Sequence, residues 1–166
     1  MSLYYFDASA LVKQYVQEPG STWIRRLIDR VAFDKEQGNT VFIAEVNIVK
    51  VAAALAILAR TNKISLRDRN IAYQRFMDDT AHLYQIISME TSDFHSAAHL
   101  TQRHPLKAYD AIHLAIALRH HHALARYERD LIFVSGDRQQ LEAAAAEGLA
   151  TDNPFDHPSP PDSPTP

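Results

Sequence analysis

Short apolar runs alternate with longer segments of helical periodicity in this 166-residue chain, and that alternation restricts its fold more than any other feature. The apolar runs predict strands at residues 3–6, 40–43, 84–89 and 131–135. The segments between and after them predict helices at residues 8–16, 21–34, 44–62, 65–83, 91–104, 109–125 and 138–147. Strands separated by helices are typical of a mainly parallel sheet covered by helices. The sequence therefore predicts an α/β sandwich.

The C-terminal segment differs in composition from the rest of the chain. Six of the eight prolines lie at or after position 154. Phe155 is the one large apolar residue in that segment. Such a segment buries too little apolar surface to offset the entropy of ordering it. We therefore predict one domain at residues 1–151, followed by a proline-rich disordered tail at residues 152–166.

Composition excludes several classes of protein. The chain has no cysteine, which rules out disulfides, cysteine-ligated zinc, iron–sulfur clusters and thiol chemistry. Its net charge of -3 shows that it is no polycation built to coat nucleic acid. The longest apolar stretch, VAAALAILA, is shorter than the roughly 20 residues of a membrane span. We therefore expect a cytoplasmic protein with no membrane partner.

Three aspartates stand where predicted strands end or predicted helices begin. Asp7 follows the first strand, Asp110 opens a long helix, and Asp137 follows the strand at residues 131–135. Each of them alone is compatible with an ordinary role at the start of a helix. In a mainly parallel sheet the carboxyl ends of the strands meet at one edge. We therefore expect the three carboxylates to converge there.

Converging carboxylates repel one another, and burying an unpaired one is costly. A divalent cation relieves both costs, and ligand sets made only of oxygen suit Mg²⁺ or Mn²⁺. The chemistry natural to such a site is hydrolysis of a phosphodiester by metal-activated water. Asp7, Asp110 and Asp137 are therefore the candidate metal ligands and catalytic residues.

Three segments also resemble a known family: FDASALVKQYVQEPGS, AYDAIHLAIAL and FVSGDRQQLEAAAAEGL. In this order they resemble the signature blocks of PIN-domain proteins, and more narrowly those of the VapC-type toxins of bacterial type II toxin–antitoxin systems. The resemblance covers essentially residues 2–154. It implies a three-layer α/β/α fold, a Mg²⁺- or Mn²⁺-dependent endoribonuclease, a homodimer, and an antitoxin partner that blocks the active site.

The resemblance also implies roles for single residues. By position, Asp7 and Asp110 match the principal metal ligands, and Asp137 matches a further acid of the same pocket. Ser9 matches the small hydroxyl residue after the first aspartate, which is expected to hold that loop or a water. His113 lies one turn after Asp110, and it is expected either to position a scissile phosphate or to be a packed helix histidine.

One position departs from the family pattern. The family normally has a fourth acid, a glutamate in the first turns of the helix after the second strand, and Lys50 occupies that position here. A protonated lysine has donors and no acceptor, so it cannot ligate Mg²⁺. Glu45 is nearby, but five residues along a helix amount to about 140° of rotation and about 7.5 Å of rise. We therefore expect Glu45 to be an ordinary first-turn residue.

Two functions follow from Lys50. If the three aspartates still bind an ion, the chain is a weakened nuclease. If Lys50 displaces the ion, the chain is a silent PIN domain that binds RNA or an antitoxin.

Basic residues that are candidates for holding RNA phosphates are Lys13, Arg25, Arg26, Lys107 and Arg138. An apolar row at helical spacing, predicted as a core or dimer face, consists of Val46, Val49, Ala53, Ala54 and Ile57.

Two other classes of protein place an aspartate at the end of a strand. A haloacid-dehalogenase-like phosphatase needs a second acid two residues after the first, and Ser9 occupies that position. A phosphotransfer receiver domain needs an acidic pair near the N-terminus and a lysine after the last strand, where Asp137 stands instead. Both alternatives are therefore weaker than the nuclease.

Overall fold

The computed structural model describes residues 2–33 and 38–157 of the chain. Five strands lie in these ranges: β1 Leu3–Phe6, β2 Thr40–Ala44, β3 Gln85–Ile87, β4 Leu131–Val134 and β5 Ala150–Asp152. Seven α-helices lie there as well: α1 Ala8–Tyr15, α2 Ser21–Phe33, α3 Val46–Arg60, α4 Leu66–His82, α5 Thr91–Arg103, α6 Ala108–Ala125 and α7 Arg138–Ala146. A 3-10 helix follows β5 at Pro154–Asp156.

The five strands form one parallel sheet in the order β3-β2-β1-β4-β5. The central strand β1 is in register with both neighbours, because Leu3 pairs with Thr40 of β2 and with Leu131 of β4. All the carboxyl ends therefore lie along one edge of the sheet. The chain leaves β1 for α1 at that edge, where the strand order reverses, and this is where parallel α/β sheets form their sites.

Helices cover both faces of the sheet, which confirms the predicted α/β sandwich. The side chains of β1 alternate between the two cores, with Tyr5 in one and Tyr4 and Phe6 in the other. The first core includes side chains of α5, α6 and α7, and the second includes side chains of α1, α2, α3 and α4. All of β1 is buried, so it forms the centre of a three-layer structure.

The helices and the strands β1, β2 and β4 lie close to where the sequence predicted them, whereas β3 and β5 differ from the prediction. The strand predicted at 84–89 is only Gln85–Ile87, because Ser88 and Met89 already lead into α5. The edge strand β5 was not predicted, since its three residues form no apolar run. Asp34, the predicted end of α2, lies outside the described residues. In the part of the chain that is described, none of the helices combines the length and the apolar character of a membrane span.

The boundary predicted at residue 151 is too early. Residues 153–157, which we call the C-terminal strap, belong to the folded domain, because Asn153 and Pro154 are buried. The imidazole of His157 stacks on Trp23 of α2, with 4.1 Å between ring centroids. Its Nε2 lies 2.7 Å from Oδ1 of Asp152. The rest of the predicted tail, residues 158–166, lies outside the described residues.

Gly20 sets the close approach of the strap to α2. Its φ is +87°, in the left-handed region that favours glycine, and a Cβ added there would overlap the carbonyl oxygen of Pro154. Gly148 is a matched comparison, because its φ is +93° and a Cβ added there would meet nothing within 4 Å. A side chain at either glycine would therefore strain the backbone, but only at Gly20 would it also clash with neighbouring atoms.

We expect Gly20→Ala to lower the free energy of unfolding more than Gly148→Ala does. The strained backbone alone costs about 1–2 kcal/mol at either position. Overpacking against Pro154 adds about 1–3 kcal/mol at Gly20 only. Urea denaturation of the two variants and the unmodified chain measures the difference. Equal losses would show that the strap does not pack against Gly20 in solution.

Candidate functional site

The three predicted aspartates line one open cavity at the carboxyl edge of the sheet. The cavity has a volume of about 690 Å³, and Asp7, Asp110 and Asp137 all contribute to its wall. Asp7 comes directly after β1, Asp137 follows β4 by three residues, and Asp110 lies in the first turn of α6. The parallel sheet thus brings Asp7 close to two residues that lie more than 100 positions later in the chain.

Asp7 is the most buried and the most heavily bonded of the three aspartates. Its side chain is 3% exposed and caps the N-terminus of α1, where Oδ1 accepts from the backbone N–H of Ala10 at 2.9 Å. The hydroxyl of Ser9 also donates to Oδ1, at 2.7 Å, and the hydroxyl of Ser135 lies 3.0 Å from Oδ2. Both oxygens of the carboxylate are therefore held in place by neighbouring donors.

Ser9 and Ser135 join α1 to the loop after β4. The backbone N–H of Gly136 donates to Oγ of Ser9 at 2.8 Å, and that of Asp137 donates to Oγ of Ser135 at 3.0 Å. Ser9 thus holds its loop, which is one of the two roles expected for it. The two serines fix the positions of Asp7 and Asp137 relative to each other.

Gln140 continues this network to the third aspartate. Its side chain is fully buried, with Oε1 3.0 Å from Oγ of Ser135. Its Nε2 donates to the main-chain carbonyl of Asp110 at 3.2 Å. One amide therefore links α7 to the first turn of α6. Neither Gln140 nor Ser135 was singled out from the sequence.

Burial raises the pKa of the Asp7 carboxyl above its ordinary value of 3.8. The hydrogen bonds from Ala10, Ser9 and Ser135 oppose this shift, and so does the positive charge of Lys50. Desolvation outweighs them, because each of these groups compensates only part of the hydration that the carboxylate loses. Asp7 is thus a carboxylate that a nearby cation would stabilise.

Asp110 is paired with the ammonium of Lys50. The Nζ atom of Lys50 lies 3.3 Å from Oδ1 of Asp110, and the two side chains are 25% and 18% exposed. Lys50 projects from α3, and its ammonium also lies 5.7 Å from the ring centroid of Tyr109. A positive charge of the protein's own therefore stands in the cavity that the three aspartates line.

Asp137 combines two roles. Its Oδ1 accepts from the backbone N–H groups of Gln139 at 2.9 Å and Gln140 at 3.3 Å, so it caps α7. The same side chain contributes to the wall of the cavity. The ordinary capping role and the candidate site role thus belong to one carboxylate.

The donor chemistry around the cavity fits a hard divalent cation in part. The aspartates offer oxygen ligands only, which Mg²⁺ and Mn²⁺ prefer. Within residues 2–33 and 38–157, however, no three His, Asp or Glu side chains are close enough to hold one ion together. Mg²⁺ commonly takes one or two carboxylates, with water and substrate phosphate as its other ligands. The arrangement fits that mode rather than a cage of three carboxylates.

Two other candidate residues, His113 and Glu45, do not line the cavity and are engaged elsewhere. His113 is fully buried in the core, where its Nδ1 lies 3.0 Å from the hydroxyl of Tyr5, so the packed-histidine alternative holds. Burial lowers the pKa of His113 to about 3, which keeps the ring neutral. Glu45 directly precedes α3, and its side chain accepts hydrogen bonds from the hydroxyl of Ser88 and the backbone N–H of Met89. It therefore ties the loop after β3 to the start of α3 and is not the first-turn residue that we expected.

The predicted phosphate-binding residues differ in their availability. Lys13 lines the cavity but is 2% exposed, and its ammonium is paired with Glu18 at 3.1 Å. It is therefore not free to hold a phosphate. Arg138 lines the cavity next to Asp137. Arg25 donates to Gln14 and Gln17 on the neighbouring helix and loop, and it does not line the cavity wall.

The family model of the PIN domain matches residues 4–145 of the chain. The chain belongs to the PIN domain family. Two relatives, ribonuclease VapC45 and ribonuclease VapC49 of Mycobacterium tuberculosis, are each 33% identical to this PIN domain over 118 residues. Those residues cover 71% of this chain and 76% of each relative. The match to PIN-domain proteins expected from the three sequence segments is confirmed.

Solved structures share the fold of this PIN domain. PAE2754 from Pyrobaculum aerophilum superposes with a TM-score of 0.58 at 16% identity, covering 92% of this chain and 89% of that one. VapBC2 from Rickettsia felis, bound to a DNA fragment from its promoter, superposes with a TM-score of 0.58 at 13% identity, covering 91% and 98%. A toxin–antitoxin complex from Klebsiella pneumoniae gives 0.53 at 16% identity, covering 93% and 98%.

The raised pKa of Asp7 predicts how stability depends on pH. The folded state holds a proton on Asp7 at pH values where the unfolded chain has lost it, so stability falls as pH rises from the unfolded pKa to the folded pKa. Asp7→Asn removes this titration while keeping an acceptor for the Ala10 N–H. We therefore expect the unfolding free energy of Asp7→Asn, relative to the unmodified chain, to increase as pH rises above about 4.

Urea denaturation of both proteins between pH 4 and pH 8 checks this prediction. Asp130→Asn is the matched control, because Asp130 is exposed and precedes β4 at the opposite edge of the sheet. The unfolding free energy of Asp130→Asn, relative to the unmodified chain, should not rise with pH as that of Asp7→Asn does. If the unfolding free energy of Asp7→Asn relative to the unmodified chain fell as pH rose, the result would contradict a raised pKa for Asp7.

Proposed function

We propose that this PIN domain is an endoribonuclease of the VapC type, which cleaves RNA phosphodiesters. The observation that carries the proposal is the opening of Asp7, Asp110 and Asp137 onto one cavity at the carboxyl edge of the sheet. The names of its two Mycobacterium tuberculosis relatives support the same activity and substrate. Arg138 beside Asp137 offers a positive charge for a backbone phosphate at this site.

We infer that Mg²⁺ or Mn²⁺ serves this site, with one or two of the carboxylates of Asp7, Asp110 and Asp137 as protein ligands and with water and substrate phosphate as the others. When bound, such an ion would lower the pKa of a bound water and would stabilise the negative charge that develops on the phosphoryl oxygens. The chain itself orients Asp7 through Ser9 and Ser135, and it orients Asp137 as the cap of α7. Lys50, whose Nζ lies 3.3 Å from Oδ1 of Asp110, would compete with the ion for that carboxylate.

The ion pair between Lys50 and Asp110 favours a second candidate function. An ammonium 3.3 Å from a carboxylate neutralises it without a metal, and it repels any divalent cation that approaches. A chain in which this pair persists would bind RNA or an antitoxin through the cavity without cutting. This silent PIN domain and the nuclease differ in one measurable property, which is metal-dependent cleavage.

We also propose a cytoplasmic protein with an antitoxin partner and a homodimeric state. Two of its structural neighbours are a VapBC assembly and a toxin–antitoxin complex. In the predicted apolar row of α3, Val46 is buried, whereas Val49 and Ile57 are 68% and 51% exposed. Ala53, between them, is exposed as well. A helix face of exposed apolar residues at four-residue spacing suits a partner helix or a second copy of the chain.

The nuclease proposal predicts that a mixed RNA pool is cut in the presence of Mn²⁺ or Mg²⁺ and left intact with EDTA. Asp7→Asn should lose at least about 100-fold in cleavage rate, because it removes a charged ligand of the ion. Asp130→Asn, far from the cavity, should cut as the unmodified chain does. Cleavage that survives in EDTA or in Asp7→Asn would overturn the metal-dependent proposal.

Replacing Lys50 separates the two candidate functions. We expect Lys50→Glu to bind Mn²⁺ at least about tenfold more tightly, because the change removes a repelling charge and adds a carboxylate. Lys63→Glu makes the same change of charge in the exposed turn between α3 and α4, and it should leave Mn²⁺ affinity unchanged. Isothermal titration with Mn²⁺ measures both variants.

RNA cleavage by the same variants decides between nuclease and binding module. Metal-dependent cutting by the unmodified chain supports the nuclease. If only Lys50→Glu cuts RNA, and the unmodified chain still binds it, the result supports the silent PIN domain.

A further inference from the structure

An aromatic ring from the C-terminal strap stands at the cavity of the three aspartates. Phe155 lines that cavity, although it lies 18 residues beyond Asp137 in the chain. Its side chain is 49% exposed, so about half of the ring is covered and the rest faces solvent. A large apolar side chain left open to water contributes little to folding. The exposed part of the ring is therefore available to contact a ligand in the cavity.

The covered part of the ring is packed against cavity residues. The ammonium of Lys13 lies 4.1 Å from the ring centroid, which is the geometry of a cation–π contact. A Cβ added at Gly136 would lie 3.1 Å from Cε2 of Phe155, so the ring edge is close to the Gly136 backbone. Lys13 is itself fixed by its ion pair with Glu18. The ring is thus supported by side-chain and main-chain groups that do not move freely.

The backbone of Phe155 is fixed as well. Its N–H donates to Oδ1 of Asn153 at 3.0 Å, and Pro154 is buried against Gly20. The stack of His157 on Trp23 holds the other end of the strap. Three contacts in five residues therefore place one half-open aromatic ring at a defined point beside the carboxylates.

We propose that Phe155 stacks on a nucleobase of the RNA strand bound at this cavity, and that it positions the neighbouring phosphate at the carboxylates. This inference rests on the proposed function, since it takes single-stranded RNA as the ligand. Nucleobases stack on exposed aromatic side chains in most single-strand sites.

The proposal also states what Phe155 does not do. A phenyl ring has no hydrogen-bond donor or acceptor, so it discriminates bases by the strength of stacking and not by their Watson–Crick edges. We therefore expect a preference for purines over pyrimidines at the stacked position, without selection of one base. Phe155 is a positioning residue, because it contacts a base and not the reacting phosphate.

The test uses a single-stranded RNA oligonucleotide that carries 2-aminopurine, whose fluorescence falls when it stacks. Binding is measured with Asp7→Asn as the parent, so that the RNA is not cut during the titration. We expect 2-aminopurine at one position to be quenched on binding. Phe155→Leu in that parent should abolish the quenching and weaken RNA binding about tenfold, and Phe155→Trp should restore both.

Two controls separate stacking from loss of structure. Tyr127→Leu removes a side chain that is 77% exposed and lies between α6 and β4, at the opposite edge of the sheet, and it should change neither signal. An oligonucleotide that lacks the base at the quenched position should bind equally well to the parent and to Phe155→Leu. A general loss of fold in Phe155→Leu would instead weaken binding to both oligonucleotides.

The outcomes distinguish this inference from the nuclease proposal. If the unmodified chain cuts RNA and Phe155→Leu leaves quenching and affinity unchanged, the stacking role is wrong and the nuclease stands. If the unmodified chain does not cut RNA but Phe155→Leu abolishes quenching, the stacking role stands on a binding module. If RNA does not bind at all, both proposals are overturned.

Discussion

The buried carboxylate of Asp7 is the constraint on which the site depends. A carboxylate that is 3% exposed loses most of its hydration, and the protein replaces that hydration with donors from three directions. The backbone of α1 supplies one donor, Ser9 a second, and Ser135 after β4 a third. Because Ser135 lies more than 120 residues after Asp7, compensating this one charge also fixes the loop after β4 that places Asp137. Binding geometry and folding are therefore coupled at this residue.

Lys50 changes the electrostatics of this cavity in a way that the fold alone does not reveal. Its ammonium is attracted by Asp110 and acts on Asp7 as well. A divalent ion carries twice the charge of the Lys50 ammonium, so the same carboxylates would attract it more strongly. To bind there, however, the ion would have to displace that ammonium. Lys50 is 25% exposed and Asp110 is 18% exposed, so the pair is partly shielded from water and its attraction is stronger than that of a pair on the open surface. Under the proposed function, the balance between lysine and metal would determine whether the cavity cleaves RNA or only binds it.

The sequence predicted the parts of this structure that rest on local periodicity. Strand and helix patterns placed Asp7, Asp110 and Asp137 at one edge because parallel strands end together. Ser135 and Gln140 were missed, since their roles depend on contacts across more than 100 residues or between helices. A signal was present for Ser135, because a polar residue directly after a buried strand and two before Asp137 can reach the same edge. The edge strand β5 gave no apolar pattern to detect.

The C-terminal strap shows why composition is a weak guide at the margin of a domain. Proline and aspartate dominate that segment, which predicts disorder, yet Pro154 fills the space that Gly20 leaves open and His157 stacks on Trp23. A few specific contacts therefore outweigh the average polarity of the segment. They hold Phe155 over Lys13, so that the last described element and the first helix together frame the cavity. The lip of the site thus depends on contacts that bridge the length of the chain, and it is complete only when the strap is docked.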